Sequence, residues 1–148
     1  MIIDHIRNLD EFIKLYNSVD NSNLPTIDEI LNLKDCVFCF YNKNTSRLEG
    51  VIYIENIDGK IFLSGFSIKK HYLKNVLAVK TVCEYFKDDE IYSQTPFKHA
   101  YFVLKKAGFE HYKDNIYKYK RGDKWEKVKK RRNMQQLRQE QADYSVQV

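Results

Sequence analysis

A mixed α/β (α+β) fold, with helices packed on one sheet, is what this sequence predicts, and three observations carry the prediction. First, residues 60–109 switch twice between two periodicities. KIFLSGFSIK has the β-branched and aromatic content of a buried strand. After it, Tyr72, Leu73, Val76, Leu77, Val79, Val82, Cys83 and Phe86 fall mostly three or four apart, as on one side of a helix. IYS and then FKHAYFVLKKAGF repeat the pair, so the stretch reads as a βαβα unit. Second, the turn-forming runs NKNTS at 42–46 and NIDG at 56–59 separate apolar segments at the spacing of an antiparallel meander. Third, 148 residues with 43% hydrophobic and 14% aromatic content are enough for one proper core.

Taken in order, residues 2–6 form a first strand. Asn8 opens a helix whose apolar positions Leu9, Phe12, Ile13, Tyr16 and Val19 share a face, and Asn21, Ser22 and Asn23 break it. Thr26 with Glu29 three residues on is a capping box for a short helix ending near Lys34. Strands follow at 36–41, 48–55 and 60–68. The stripe from Tyr72 is the third helix, ended by Asp88, Asp89 and Glu90, and a short strand runs over 90–93. Pro96 suits the first turn of a fourth helix, which Gly108 closes in a left-handed conformation. Residues 109–113 and 116–120 flank Asp114 and Asn115 as a hairpin. The order is β-α-α-β-β-β-α-β-α-β-β. A parallel crossover places the strands at 60–68 and 90–93 side by side, with a cleft at their carboxyl ends.

The net charge of +5 is uneven. Residues 121–148 hold eight Lys or Arg against four Asp or Glu, a net +4, so the balance over residues 1–120 is +1. This divides the chain into a folded domain over 1–121 and a basic, helical C-terminal extension over 122–148. In the extension Trp125 is an aromatic anchor beside the cations Lys127, Lys129, Lys130, Arg131 and Arg132, a pattern for docking on other proteins in a homo- or hetero-oligomeric assembly. Nucleic-acid binding there is expected to be non-specific, since only Trp125 and Tyr144 offer stacking rings. No apolar run is long enough to cross a bilayer and the N-terminus lacks the layout of a secretory signal. The expectation is a cytoplasmic protein, or a virion component, with no membrane partner. Cys36, Cys39 and Cys83 are an odd number, and Cys36 and Cys39 on a strand face opposite ways. They read as small buried hydrophobes, with no metal site.

PFKHAYFVLKKAGFEHY resembles the fourth-helix pattern of the GNAT family of N-acetyltransferases, and the element order over residues 1–120 is similar to that fold. Ala100, Gly108 and Phe109 match the pattern. Phe97 stands at its Asn position and Leu104 at its Tyr position, where the family often has the general acid for the departing thiolate. The resemblance implies an acyl-CoA site at Ile68, Lys70, Lys74, Asn75 and Val76. The family cradles the pyrophosphate there on a Gln/Arg-x-x-Gly-x-Gly/Ala loop, which needs bare backbone at a helix N-terminus. Here the loop is KKHYLKNVLAV, without glycine; His71, Lys74 and Val76, or Leu73, Val76 and Ala78, take the motif positions. Lys69, Lys70 and Lys74 remain as point charges for phosphate. Glu55, and after it Glu49, are the carboxylates on the central strands that can act as a general base, and both also suit solvated edge positions. His71 and His99 read as surface or capping residues.

The glycine-poor loop and the missing Tyr are also similar to the small virion or assembly proteins of short-tailed phages. Two functions follow. One is a non-catalytic structural or assembly protein with a vestigial acyl-CoA site, no cofactor, and partners held by the C-terminal extension. The alternative is an active acetyl-CoA-dependent N-acetyltransferase acting on an amine.

Overall fold

The computed structural model describes residues 1–68 and 72–120. The expected helical extension over 122–148, with Trp125, Lys127, Lys129, Lys130, Arg131 and Arg132, lies outside the described residues, as do Lys69, Lys70 and His71.

Seven strands form one sheet: β1 (Ile2–Asp4), β2 (Val37–Tyr41), β3 (Leu48–Ile57), β4 (Lys60–Ser67), β5 (Ile91–Gln94), β6 (Phe109–Lys113) and β7 (Ile116–Tyr119). Their spatial order is β1-β2-β3-β4-β5-β7-β6, and every pairing is antiparallel except β4 with β5. The helices are α1 (Leu9–Ser18), α2 (Ile27–Leu31), α3 (Tyr72–Tyr85) and α4 (Lys98–Ala107). The expected order of elements is therefore the observed one, with shifted boundaries: α2 ends at Leu31, β3 runs on to Ile57, and β5 spans Ile91–Gln94. Cys36 belongs to a short 3₁₀ turn, Lys34–Cys36, and the strand starts one residue later. Pro96 stands before α4 and not in its first turn, because Phe97 is the N-cap. The first strand ends at Asp4, where the Asp4 side chain accepts from the His5 N–H.

Local chemistry explains the boundaries. Asn8 accepts the Glu11 N–H at the start of α1, and Thr26 and Glu29 close a reciprocal capping box on α2. Asp58 and Gly59 both take positive φ, 52° and 79°, which gives the β3–β4 hairpin the turn that matches strand twist. Gly108, at φ 113°, caps α4 by donating to the Leu104 and Lys105 carbonyls.

The two faces of the sheet carry separate cores. On one, α3 and α4 cover Phe40, Ile52, Ile54 and Leu63 with Val76, Val79, Val82 and Leu104. On the other, α1 and α2 cover Val37, Cys39, Val51, Tyr53 and Phe66 with Phe12, Leu15 and Ile30. Strand alternation sorts Val51 and Tyr53 to one side and Ile52 and Ile54 to the other. Cys39 is fully buried and desolvation pushes its thiol up to about 12, while half-buried Cys36 packs against the opposite core. They pack as apolar side chains on opposite faces.

Gly50 lies across from Phe40, and a Cβ there would overlap the Phe40 ring, which is fixed inside the α3/α4 core. Gly50→Ala is expected to cost about 1–3 kcal/mol through overpacking. The urea midpoint of unfolding measures this, and an unchanged midpoint refutes it.

Candidate functional site

The only parallel pairing in the sheet is also its shortest-lived. β4 and β5 run together for two residue pairs, Ile61↔Ile91 and Phe62↔Tyr92, and the ladder then stops. At the parting point the buried Ser93 hydroxyl donates to the Leu63 carbonyl at 2.7 Å, a side-chain bond in place of the next rung. Leu63 thus directs its carbonyl towards β5. Alternation along an extended strand turns the backbone groups of Gly65 and Ser67 to the same side, where the β5 ladder no longer follows. Gly65 is exposed, and a Cβ on it would strike the Val51 carbonyl oxygen of the neighbouring strand. The expected cleft at the carboxyl ends of these strands is present as this divergence.

The cleft leads to the first turn of α3. Asn75 donates from Nδ2 to Ser67 Oγ at 2.7 Å, and its Oδ1 is buried without a hydrogen-bond partner among the described residues. Lys74 donates to both carboxylate oxygens of Glu49, at 3.0 and 3.1 Å. Ile68, half-buried against the α1/α2 core, gives its N–H to the Glu49 carbonyl at 3.0 Å. Glu49 is 4% exposed, so the solvated-edge alternative for it is corrected. A register shift between Phe40 and Tyr41, opposite residues 48–50, lies behind this placement. Among the expected cofactor residues, Lys74 and Asn75 stand in the first turn of α3, Ile68 lies at the end of β4 against the α1/α2 core, and Val76 turns into the α3/α4 core; Lys70 lies outside the described residues.

Val76 is 7% exposed and belongs to the α3/α4 core, and Ala78 is fully buried in it. Their side chains point away from the helix entrance, so replacing a motif glycine with Val76 places no bulk over the first-turn N–H groups. The exposed first-turn side chains are Tyr72, at 42%, and Leu73, at 74%. Leu104 is 5% exposed within the same core and has no proton to give.

Glu55 lies next to the parting point. It pairs across the sheet with Phe62, which pairs with Tyr92, so the three share one face. Burial raises the Glu55 carboxyl above its ordinary 4.5, and the negative charge of Glu29 on α2 raises it further. Burial likewise pushes up Tyr53, whose neighbours include Glu55 and the hydrogen-bonded Ser64. His99 is stacked on Phe97, with ring centroids 5.8 Å apart, on exposed surface outside the cleft. A hollow of about 230 Å³ lined by Thr95, Pro96, Phe97, Lys98, Tyr101 and Tyr117 sits on the β7 side of β5, away from the β4–β5 divergence. Sequence reasoning named Asn75 through the resemblance and missed Ser93, which has no signal in spacing alone. Among the described residues no group of His, Cys, Asp and Glu could hold a metal, and no helix is long and apolar enough to cross a membrane.

The atoms at the cleft fit the cofactor implied by the resemblance. An extended chain with amide groups, such as the pantetheine arm of coenzyme A, would find the backbone groups of Gly65 and Ser67 along the open edge of β4. Phosphate is favoured at a helix N-terminus, and the first turn of α3 lies beyond them.

No protein-family model and no curated protein matches the chain. Solved structures do. A protein described as a GNAT-family acetyltransferase from Bordetella pertussis superposes with a TM-score of 0.56 at 8% identity, over 76% of this chain and 87% of that one. One described as an acetyltransferase from Staphylococcus epidermidis gives 0.56 at 14%, over 79% and 94%. A Bacillus subtilis acetyltransferase in complex with CoA gives 0.50 at 13%, over 79% and 93%. Nothing in these likenesses supports a virion or assembly role. With the mixed sheet, the one parallel pairing and these neighbours in view, the fold of this chain is that of the GNAT acetyltransferases.

Proposed function

We propose that the chain is an acyl-CoA-dependent N-acyltransferase, with acetyl-CoA as donor and a primary amine as acceptor. The observation that carries this reading is the divergence of β4 from β5 directly beside Glu55, with the first turn of α3 at its far end. The cofactor supplies an activated thioester. The backbone groups of Gly65 and Ser67 would hold its amide arm, with Asn75 fixing Ser67 from behind, and the first turn of α3 would face its phosphates. Glu55, as a carboxylate, takes the proton from the incoming ammonium group. With the cofactor bound, the free amine would attack the thioester carbonyl carbon: the C–N bond would form, the nitrogen would lose its second proton to water, the C–S bond would break, and the thiolate would take a proton from solvent, since Leu104 supplies no acid. Direct transfer of this kind relies on positioning more than on a covalent nucleophile.

Calorimetry with acetyl-CoA and release of free thiol over a panel of amines test the reading. The expected results are micromolar binding and thiol release that depends on amine. Absence of binding at millimolar cofactor overturns it.

The buried hydrocarbon of Leu104 favours a second reading, a non-catalytic structural or assembly protein that keeps the fold and holds partner proteins through residues 122–148. That reading predicts no amine-dependent thiol release, and partner binding that is lost when residues 123–148 are removed.

A further inference from the structure

Glu49 contacts both sides of the β4–α3 connection. Its backbone carbonyl takes the Ile68 N–H at 3.0 Å, and its carboxylate takes both hydrogen bonds from Lys74 in the first turn of α3. An N-terminal helix turn is where an anion is favoured, and Lys74 adds a full positive charge to it. The described anion nearest that charge belongs to the protein itself, on a residue 4% exposed, while Lys74 keeps 39% of its side chain in solvent.

We propose that the Glu49 carboxylate is a built-in counter-anion that competes with a cofactor phosphate for Lys74. This rests on the acyl-CoA reading of the site and adds regulation to it. A phosphate arriving at the α3 entrance gains Lys74 only as the ammonium turns from Glu49, and the half-exposed stem of Lys74 leaves room for that turn. The exchange leaves a buried carboxylate with less compensation, which sets a penalty on every phosphate-bearing ligand and none on a ligand that lacks phosphate. The site therefore distinguishes ligands by what it gives up in accepting charge, and cofactor affinity is held below what the fold alone permits.

The test compares CoA with pantetheine, which has the same amide arm and no phosphate, by calorimetry on the whole chain. Glu49→Gln keeps the shape of the side chain and an oxygen for Lys74. It is expected to tighten CoA about tenfold, the equivalent of one charge-assisted hydrogen bond, and to leave pantetheine unchanged. Adding Lys74→Met to Glu49→Gln is expected to remove that gain. In the unmodified chain the ¹³C shift of the Glu49 carboxyl is expected to move with CoA and to stay fixed with pantetheine, a readout independent of how any variant folds. CoA binding that is equal in the unmodified chain and in Glu49→Gln, with an immobile Glu49 shift, overturns the competition while leaving the acyl-CoA reading standing. No CoA binding by either protein overturns both.

Discussion

Glu55→Gln is expected to slow acetyl transfer by about a hundredfold or more, the usual contribution of a positioned general base, while CoA affinity stays unchanged. Glutamine has the size and polarity of the native side chain and cannot take a proton. Because desolvation, and then Glu29, raise the Glu55 carboxyl, the group keeps its proton to a higher pH than an ordinary glutamate. The reactive form is the carboxylate, so kcat/KM should climb with pH on a limb lying above 4.5, and Glu55→Gln should abolish that limb. Removing the Glu29 charge with Glu29→Gln lowers the Glu55 carboxyl and moves the limb to lower pH. The sign for stability is opposite: with its folded value raised, Glu55 favours the folded state most at low pH, and this contribution is lost as pH rises through that value. A pH–rate profile on the unmodified chain and both variants decides the matter. A Glu55→Gln enzyme with full rate and an unaltered limb removes Glu55 from the chemistry.

Phe12→Ala is expected to lower the free energy of unfolding by about 3–5 kcal/mol, the range for truncating a fully buried aromatic ring. Phe12 is completely buried, meets Phe66 edge-on with ring centroids 5.9 Å apart, and shares the α1/α2 core with Ile30. Phe66 precedes Ser67, which holds Asn75, so the cavity opens directly beneath the cleft. A loss of cofactor affinity is expected with the loss of stability. Urea unfolding monitored by fluorescence gives the first quantity and calorimetry the second. A cost under about 1 kcal/mol contradicts the assignment of Phe12 to a close-packed core.

The parts of this fold that could be read in the chain are those specified locally. The Asp58-Gly59 turn, the Thr26 and Glu29 box and the Gly108 cap each fit within a few residues, and each forms as expected. The parallel neighbours β4 and β5 followed from the handedness of a crossover. Pro96 reads from the sequence as a first-turn residue, yet it stands one residue before the Phe97 N-cap, because proline suits the approach to a helix as well as its first turn. The site was less legible. Glu49 and Lys74 are 25 residues apart, and only the register shift near Phe40 brings that carboxylate under α3. Val76 looked like an obstruction when aligned with a glycine, yet its place in the stripe with Val79, Val82 and Cys83 already assigned it to the buried side. The two criteria conflict in the sequence, and packing against the sheet decides between them.

Strand β7 lies between β5 and β6 although it is last among them in the chain. While the protein is being synthesised, the flank of β5 therefore stays bare until Tyr119 has left the ribosome, and β6 has nothing to zip against before then. A nascent chain halted at residue 113 would display an open hydrogen-bonding border next to the β4–β5 cleft, a sticky species that chaperones would have to shield.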